Sequence, residues 1–254
     1  MSARIFTLLS GPSCVGKGPL LAALNTFHPD LKYSEIPVIK SKDSRPDGPR
    51  PGEERMWEDE DFFRTTEDLC KLENNPQFLV GECRRLRQAV DLEKVNKSQS
   101  ELLLIEIYHT LGAKLLESTF LREVQVKRLF LSPISRVEIE DLKAANVDVA
   151  DHVRKLMISK QLARAKYQGK KAAVSEDIEE RAADTYKELQ YACSCDRVIV
   201  NHDGEGSPNW NRLPNGQFTD QPGGDAYRAL AALLYILRGS EPPGQCEDWK
   251  GLVL

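Results

Sequence analysis

Short apolar runs bounded by turn residues alternate along the chain with longer segments whose apolar residues recur at helical spacing. The short runs are typical of buried strands, and they are Ile5–Leu9, Leu102–Ile107, Val126–Leu131 and Arg197–Val200. The longer segments predict helices over Gly18–Phe27, Thr66–Glu73, Thr110–Ser118, Ser135–Ala145, Val149–Ala165, Ser175–Ala192 and Gly224–Arg238. Strands that alternate with helices predict an α/β fold with a mainly parallel sheet, helices on both faces and ligands at the carboxyl ends of the strands.

Two segments depart from this alternation. Pro37–Phe63 is rich in proline, glycine and charge and poor in apolar residues, which predicts a small lobe rather than a core element. Asn201–Gly223 contains several turn signals and is interpreted as a long loop. Loops of this length are usually functional or disordered. The apolar Ala226–Leu237 stretch that follows is expected to pack on the sheet.

Composition excludes some classes of function. The chain has 254 residues, which is enough for one large domain or for one domain with a mobile insert. Its net charge of −4 lacks the global basic footprint of a nucleic-acid-binding protein. No apolar run approaches the roughly 20 residues of a membrane span, and residues 1–10 lack the pattern of a secretion signal. The six cysteines are scattered without paired metal-ligand spacing, so we expect a reduced, cytoplasmic compartment.

A glycine-rich loop joins the first predicted strand to the first predicted helix. Gly11, Gly16 and Lys17 form the Gly-x4-Gly-Lys pattern of a phosphate-binding loop. Small residues let backbone N–H groups surround a phosphate, and the helix N-terminus adds partial positive charge. An ordinary glycine turn is the alternative. The candidate phosphate-binding residues are Gly11, Pro12, Ser13, Cys14, Val15, Gly16, Lys17 and Gly18.

A second charged feature is the stretch from His152 to Ser175, which has no carboxylate. It carries seven cationic residues, namely Arg154, Lys155, Lys160, Arg164, Lys166, Lys170 and Lys171. This stretch is either a solvated helix face or an electrostatic clamp for a polyphosphate.

Five local motifs, all in the correct order, make the chain similar to the guanylate kinase family. They are Ser10–Gly18, Ser41–Glu53, Gln77–Glu82, Ile105–Ile107 and Glu180–Asn201. The second contains Ser-x-x-x-Arg and Pro-Arg-Pro-Gly-Glu, and the last ends in Val-Ile-Val-Asn. The resemblance implies a P-loop three-layer fold with a small acceptor-binding lobe and a helical lid. It also implies an enzyme that transfers the γ-phosphoryl group of ATP, with Mg²⁺, to GMP.

The resemblance also implies roles for acceptor-binding residues. Arg45 and Arg50 would grip the acceptor phosphate, and Ser41 would add a hydroxyl; surface arginines in a proline-rich loop are the alternative. Glu82 would accept hydrogen bonds from guanine, or it is a plain charge on a helix face. Glu106, which ends an apolar strand, would touch the acceptor base, a hydroxyl or hydrated magnesium, because a buried carboxylate requires a partner.

The resemblance also implies roles for residues that would contact the phosphoryl donor. Lys17 would reach the outer phosphates, and Arg181 would bridge the transferring group unless it pairs with Asp177 or Asp184. Arg154 and Arg164 are the lid candidates, with solvated helix charges as the alternative. Asn201 resembles the family's contact to adenine, although it could equally cap the next turn. The expected catalytic residues are therefore Lys17, Arg45, Arg181 and Arg154.

The resemblance covers residues 3–203, which we expect to form the kinase-like domain, with the acceptor lobe over about 37–100 and the lid over about 143–175. Residues 204–254 are expected to form a loop and helix extension packed on the same domain. The residues that read guanine depart from the family pattern, since Val80 stands near the expected carboxylate. Two alternatives remain: a kinase for another small phosphorylated acceptor, such as a ribose bisphosphate, or a non-catalytic protein-binding module.

Overall fold

The apolar runs predicted as strands are strands in the computed structural model. It describes residues 4–44, 54–84, 86–118, 121, 124–169, 173–242, 244 and 246–254. The chain divides into two units. The first comprises residues up to Ser10 together with Lys32–Lys127, and the second comprises Gly11–Leu31 and Arg128–Leu254.

The first unit holds seven strands and four α-helices among its described residues. Its strands are β1 Ile5–Ser10, β2 Ser34–Glu35, β3 Val38–Ser41, β4 Phe63–Arg64, β5 Phe78–Cys83, β6 Leu86–Asp91 and β7 Leu102–Glu106. Its helices are α2 Glu54–Trp57, α3 Thr66–Leu72, α4 Leu92–Lys97 and α5 His109–Glu117, and Lys42–Ser44 forms a 3₁₀ turn.

Strand β7 is the centre of a parallel arrangement in this unit, with β1 on one side and β2 on the other. The register runs from Ile5 opposite Leu102 to Leu9 opposite Glu106. Phe6 and Ile105 are completely buried, which explains why these strands are continuous apolar runs rather than alternating ones. Glu106 is therefore the last residue of a buried strand, at its carboxyl end.

A second sheet in the first unit has the order β4-β3-β6-β5. Strands β5 and β6 form an antiparallel hairpin from Phe78 opposite Asp91 to Cys83 opposite Leu86. Strand β3 pairs antiparallel with β6 and parallel with β4. This sheet lies within the segment predicted as the acceptor lobe, but the apolar pattern had not indicated its strands.

The second unit holds most of β8, the remaining helices and the last two strands. Its elements are α1 Lys17–Phe27, β8 Gln125–Ser132, α6 Arg136–Ala144, α7 Val149–Tyr167, α8 Glu176–Ala192, β9 Arg197–Val200, α9 Gly224–Leu237 and β10 Cys246–Glu247. Strand β9 is parallel to β8 and antiparallel to β10. The predicted α/β class with mainly parallel strands is thus confirmed.

Buried apolar side chains stabilise this unit. One cluster joins α6, α7 and α8 and includes the buried side chains of Val153, Met157, Leu189 and Trp249. Helix α9 also buries Ala229 and six other apolar side chains before Leu237. Within the described parts of the chain, no helix has the length and apolar content needed to cross a bilayer.

Candidate functional site

The candidate site of the second unit is the loop between β1 and α1. Gly11 and Gly16 have φ angles of +144° and +105°, and Cys14, although not a glycine, has a φ of +70°. In the part of the chain that the structure describes, no side chain caps α1, and its first turn has no acidic residue. The first N–H groups of α1 are therefore suited to an anionic ligand.

Close backbone contacts explain the two glycines of this loop. A Cβ atom at Gly11 would lie 2.4 Å from the carbonyl oxygen of Leu131. One at Gly16 would lie 2.7 Å from Asn201 Nδ2 and 3.1 Å from the carbonyl oxygen of Asp203. At Gly18, by contrast, a Cβ atom would have no neighbour within 4 Å.

Lys17 folds back over the loop. Its Nζ donates to the carbonyl oxygens of Gly11, at 2.5 Å, and of Pro12, at 2.9 Å. These contacts keep the ammonium group beside the loop.

Asn201 lies behind the loop and is fully buried. Its Nδ2 donates to the carbonyl oxygens of Val15, at 2.7 Å, and of Asp203, at 2.6 Å, while its Oδ1 accepts from the Asp203 amide. Both amide hydrogens are therefore used on the backbone. In this structure the side chain bonds the loop and caps the turn at Asp203, which is the alternative role that the sequence left open for Asn201.

The cationic stretch on α7 is not a uniformly solvated face. Arg154 pairs with Asp151 at 3.1 Å and with Glu179 of α8 at 2.8 Å. Lys160 is buried, which lowers its pKa, and its Nζ donates to the carbonyl oxygen of His202. Arg164 donates to the Glu205 carboxylate at 3.1 Å. Lys170 and Lys171 lie outside the described residues.

Arg181, on α8, donates from Nε to Asp177 Oδ1 at 2.8 Å, and its side chain is 19% exposed. This is one of the two surface pairs that sequence reasoning offered as the alternative to a catalytic role. The Asp177 side chain is exposed while the Arg181 side chain is mostly buried, and ion pairs separated by one helical turn contribute only a few tenths of a kcal/mol.

In the first unit, Ser41 ends β3 and is buried. Its hydroxyl lies 2.7 Å from Thr66 Oγ1 and accepts from the Asp43 amide. Asp43 in turn accepts from the Thr66 amide at 2.9 Å. These bonds fix the backbone just before the segment that contains Arg45 and Arg50, both of which lie outside the described residues.

The other two predicted acceptor residues stand on different strands of this unit. Glu82 is on β5 with an exposed side chain, and its carbonyl oxygen accepts from Thr110 Oγ1 at 2.8 Å. Glu106 ends β7 beside Glu35 of β2. Partial removal from water and the negative charge of Glu106 raise the pKa of the Glu35 carboxyl. A carboxyl pair at the ends of parallel strands is the kind of setting found at functional sites.

Sequence reasoning missed several residues that organise the two sites. Asp203 and Trp210 lie behind the phosphate loop, and Thr66 supports Ser41. The only local signal was the turn composition after Asn201. Their roles depend on contacts between distant parts of the chain, which no short motif records.

Comparison with known proteins gives one consistent result. No family model matches the chain. The guanylate kinase of Synechococcus sp. (strain JA-3-3Ab) is 33% identical over 138 residues, which are 52% of this chain and 57% of that protein. The guanylate kinase of Trichodesmium erythraeum (strain IMS101) is 30% identical over 138 residues, 53% of this chain and 67% of that protein.

A longer but weaker match is the guanylate kinase of Synechococcus sp. (strain CC9311), 27% identical over 204 residues, which are 78% of this chain and 87% of that protein. A crystal structure of guanylate kinase from Anaplasma phagocytophilum aligns with 80% of this chain and 79% of its own, at 19% identity and a TM-score of 0.47. The chain spans little more than half the length of the first of these relatives.

The two glycines Gly16 and Gly18 should respond differently to alanine. We expect Gly16→Ala to lower the free energy of unfolding by at least about 2 kcal/mol, because the new Cβ is strained by the positive φ, overlaps Asn201 Nδ2 and crowds the Asp203 carbonyl. Gly18→Ala should leave it unchanged or raise it by up to about 1 kcal/mol, since the site is open and helical. Urea denaturation of both variants measures the difference, and equal stabilities would contradict the geometry.

The coupling between the two carboxyls of the first unit can be measured directly. We expect Glu106→Gln to lower the pKa of Glu35, because a neighbouring negative charge is removed. The pKa should stay above its ordinary value, since burial is the larger cause. Carbon-detected NMR titration of the carboxyl reports it. Glu101→Gln, at an exposed position, is the control, and a Glu35 pKa that is the same in both variants would exclude the coupling.

Proposed function

Because the chain belongs to the guanylate kinase family, we propose that it is an ATP-dependent phosphotransferase that converts GMP and ATP to GDP and ADP. The observation that carries the proposal is the phosphate loop, with its two left-handed glycines, uncapped helix N-terminus and folded-back lysine. Phosphoryl transfer depends mainly on positioning and charge neutralisation, which are what such a loop supplies.

On the donor side, the amides of the loop and of the first turn of α1 bind the outer phosphates, and Lys17 contributes a point charge. Asn201 acts through the loop rather than on the base. Gly18 offers no hydroxyl to a metal, and none of the described residues forms a cluster of three metal-binding side chains. Mg²⁺ would therefore be held by phosphate oxygens and water, where it neutralises phosphate charge.

On the acceptor side, we assign the first unit. Arg45 and Arg50 would bind the acceptor phosphate as planar forks, and Ser41 would add its hydroxyl. Glu82 and Glu106 are hydrogen-bond acceptors, which suits the N1 and N2 hydrogens of guanine. The exposure of Glu82 leaves its carboxylate open to a ligand.

Arg181 and Arg154 would stabilise the negative charge that develops on the phosphoryl group during transfer. To do so, each guanidinium would exchange its carboxylate partner for the phosphoryl oxygens. The lid assigned to about 143–175 would close over the donor and exclude water. We also propose that residues 1–203 form the kinase-like domain and that residues 204–254 form its extension. The six cysteines are reduced thiols, which is consistent with a cytoplasmic enzyme.

Another acceptor is the second candidate, because Val80, near the position expected to hold a carboxylate, is instead packed with Ile39 and Leu69 in an apolar cluster. A kinase for another phosphorylated acceptor would keep the donor loop and lack guanine selectivity. A protein-binding module would have no need to hold ATP.

Lys17 provides the test of the donor site. We expect Lys17→Ala to reduce ADP release at least about a hundredfold, since it removes a charge from the transferring group. The unfolding midpoint should stay unchanged. Lys97→Ala, at an exposed lysine paired with Glu93, is the matched control and should retain activity. A folded Lys17→Ala protein with normal ADP release would exclude the proposed role of the loop.

The acceptor is tested with a coupled ADP-release assay over GMP, AMP, CMP, UMP and ribose bisphosphate. A site that hydrogen-bonds the guanine edge should prefer GMP over AMP by roughly 10⁴-fold, because the wrong base leaves buried polar groups unpaired. Glu82→Gln should reduce that preference, and Glu67→Gln, another exposed glutamate, should not. Activity on the sugar phosphate alone would favour the second kinase. ATP binding without turnover of any acceptor would contradict both kinase assignments.

A further inference from the structure

The segment Asn201–Trp210, which we call the buttress, bonds to two successive carbonyl groups of the phosphate loop. Asn201 Nδ2 donates to the carbonyl oxygen of Val15 at 2.7 Å. The Glu205 amide donates to the carbonyl oxygen of Cys14 at 2.9 Å. Residues 204–210 of this segment lie beyond the part of the chain that the family motifs cover.

These bonds have a consequence for the other side of the same peptides. In a planar trans peptide the C=O and N–H groups point in opposite directions. Holding the carbonyls of Cys14 and Val15 toward the buttress therefore aims the amides of Val15 and Gly16 away from it. In this structure the Val15 amide makes one long hydrogen bond, of 3.4 Å, to the Pro12 carbonyl oxygen. Loop amides aimed in this way are the groups that would bind a phosphate.

Trp210 closes the buttress. Its indole is 1% exposed, and Nε1 donates to the carbonyl oxygen of Gly204 at 3.0 Å. The ring atom Cζ2 lies only 3.0 Å from where a Cβ atom on Gly16 would stand. The indole thus packs against the loop itself and fixes the turn from which Glu205 reaches Cys14.

Asp203 anchors the buttress to α9. Its carboxylate accepts from Ser207 Oγ at 2.8 Å, from Asn209 Nδ2 at 2.9 Å and from the Ala226 amide, in the first turn of α9, at 2.9 Å. The carbonyl oxygen of Asn209 also accepts from the Gly223 amide at 2.7 Å. Since α9 is buried along its apolar face, the buttress rests on the core of the unit.

The buttress also holds two cations of α7. Lys160 donates to its His202 carbonyl, and Arg164 pairs with its Glu205 carboxylate. At Gly206 a Cβ atom would lie 2.6 Å from the Arg164 amide nitrogen, so α7 and the buttress are in close contact. Glu205 therefore contacts both elements: its carboxylate pairs with Arg164 of α7, and its amide bonds the Cys14 carbonyl of the phosphate loop.

We propose that Trp210 and the rest of the buttress preorganise the phosphate loop, which makes Trp210 a positioning residue for the phosphoryl donor. The donor part of this inference rests on the proposed function; the loop part does not. This role is distinct from that of a tryptophan that only fills the core. The Trp210 indole packs against Gly16 of the phosphate loop and donates a hydrogen bond to the Gly204 carbonyl oxygen.

The chain supplies a matched control for Trp210. Trp249 is also fully buried in the second unit, and its Nε1 also donates, to Glu247 Oε2 at 2.6 Å, but it packs with the α6–α8 cluster. Trp210→Phe and Trp249→Phe each lose one indole hydrogen bond and similar buried area. Asp203→Asn, which keeps side-chain volume, is a second variant of the buttress. Both measurements below are made on the full chain, below the unfolding midpoints of the variants.

The first measurement is hydrogen exchange of peptides covering Gly11–Gly18 in the nucleotide-free protein. Exchange should accelerate in Trp210→Phe and Asp203→Asn and stay at the wild-type rate in Trp249→Phe. The second is calorimetric binding of Mg-ATP together with the KM values of both substrates. Trp210→Phe should weaken ATP binding about three- to tenfold, as expected for one lost hydrogen bond, and leave the acceptor KM unchanged.

The outcomes separate the two proposals. Wild-type loop exchange and wild-type ATP affinity in Trp210→Phe would overturn the inference, and so would equal changes in Trp210→Phe and Trp249→Phe. If the wild-type protein does not bind Mg-ATP, the donor function fails and Trp210 cannot position a donor. In that case the hydrogen-exchange measurement still decides whether the buttress fixes the conformation of the phosphate loop.

Discussion

The bonds that hold the carbonyl groups of Cys14 and Val15 are the interaction on which the candidate donor site depends. A phosphate-binding loop must keep several N–H groups aimed at one point without a ligand to organise them. Three left-handed residues in this loop carry a conformational cost. The hydrogen bonds of the buttress, including those of the buried Asn201 side chain, offset that cost. They hold the loop in the conformation that an anion would bind, so the loop loses less conformational entropy on binding.

Much of the α/β core could be predicted from the sequence because buried parallel strands are continuous apolar runs and helix starts have capping residues. Ser135 and Ser175 both cap helices, through the amides of Glu138 and Ile178, close to the predicted starts. The sheet of order β4-β3-β6-β5 could not be predicted in this way. Strand β6 contains Arg87 and Gln88, and β4 has only two residues, too few to show a period.

The phosphate loop could be located from the sequence because its requirements are local: a strand, small residues, a lysine and a helix. The environment of its residues could not. Asn201 and Val15 are 186 positions apart, so no spacing rule predicts that the amide bonds the loop. The alternative pairing of Arg181 with Asp177 was visible because one helical turn separates them. The burial of Lys160 was not, since it depends on how α7 packs.

The long sequence separation within the donor site also bears on the order in which the protein is assembled. At translation rates of roughly 5–20 residues per second, the 186 residues between Val15 and Asn201 correspond to about ten to forty seconds of synthesis. Throughout that interval the loop has emerged without the residues that hold its carbonyl groups. A nascent chain that has not reached Trp210 lacks the residues that hold these carbonyl groups in place. The phosphate loop is therefore synthesised early but reaches its final contacts only after Trp210 and α9 have been made.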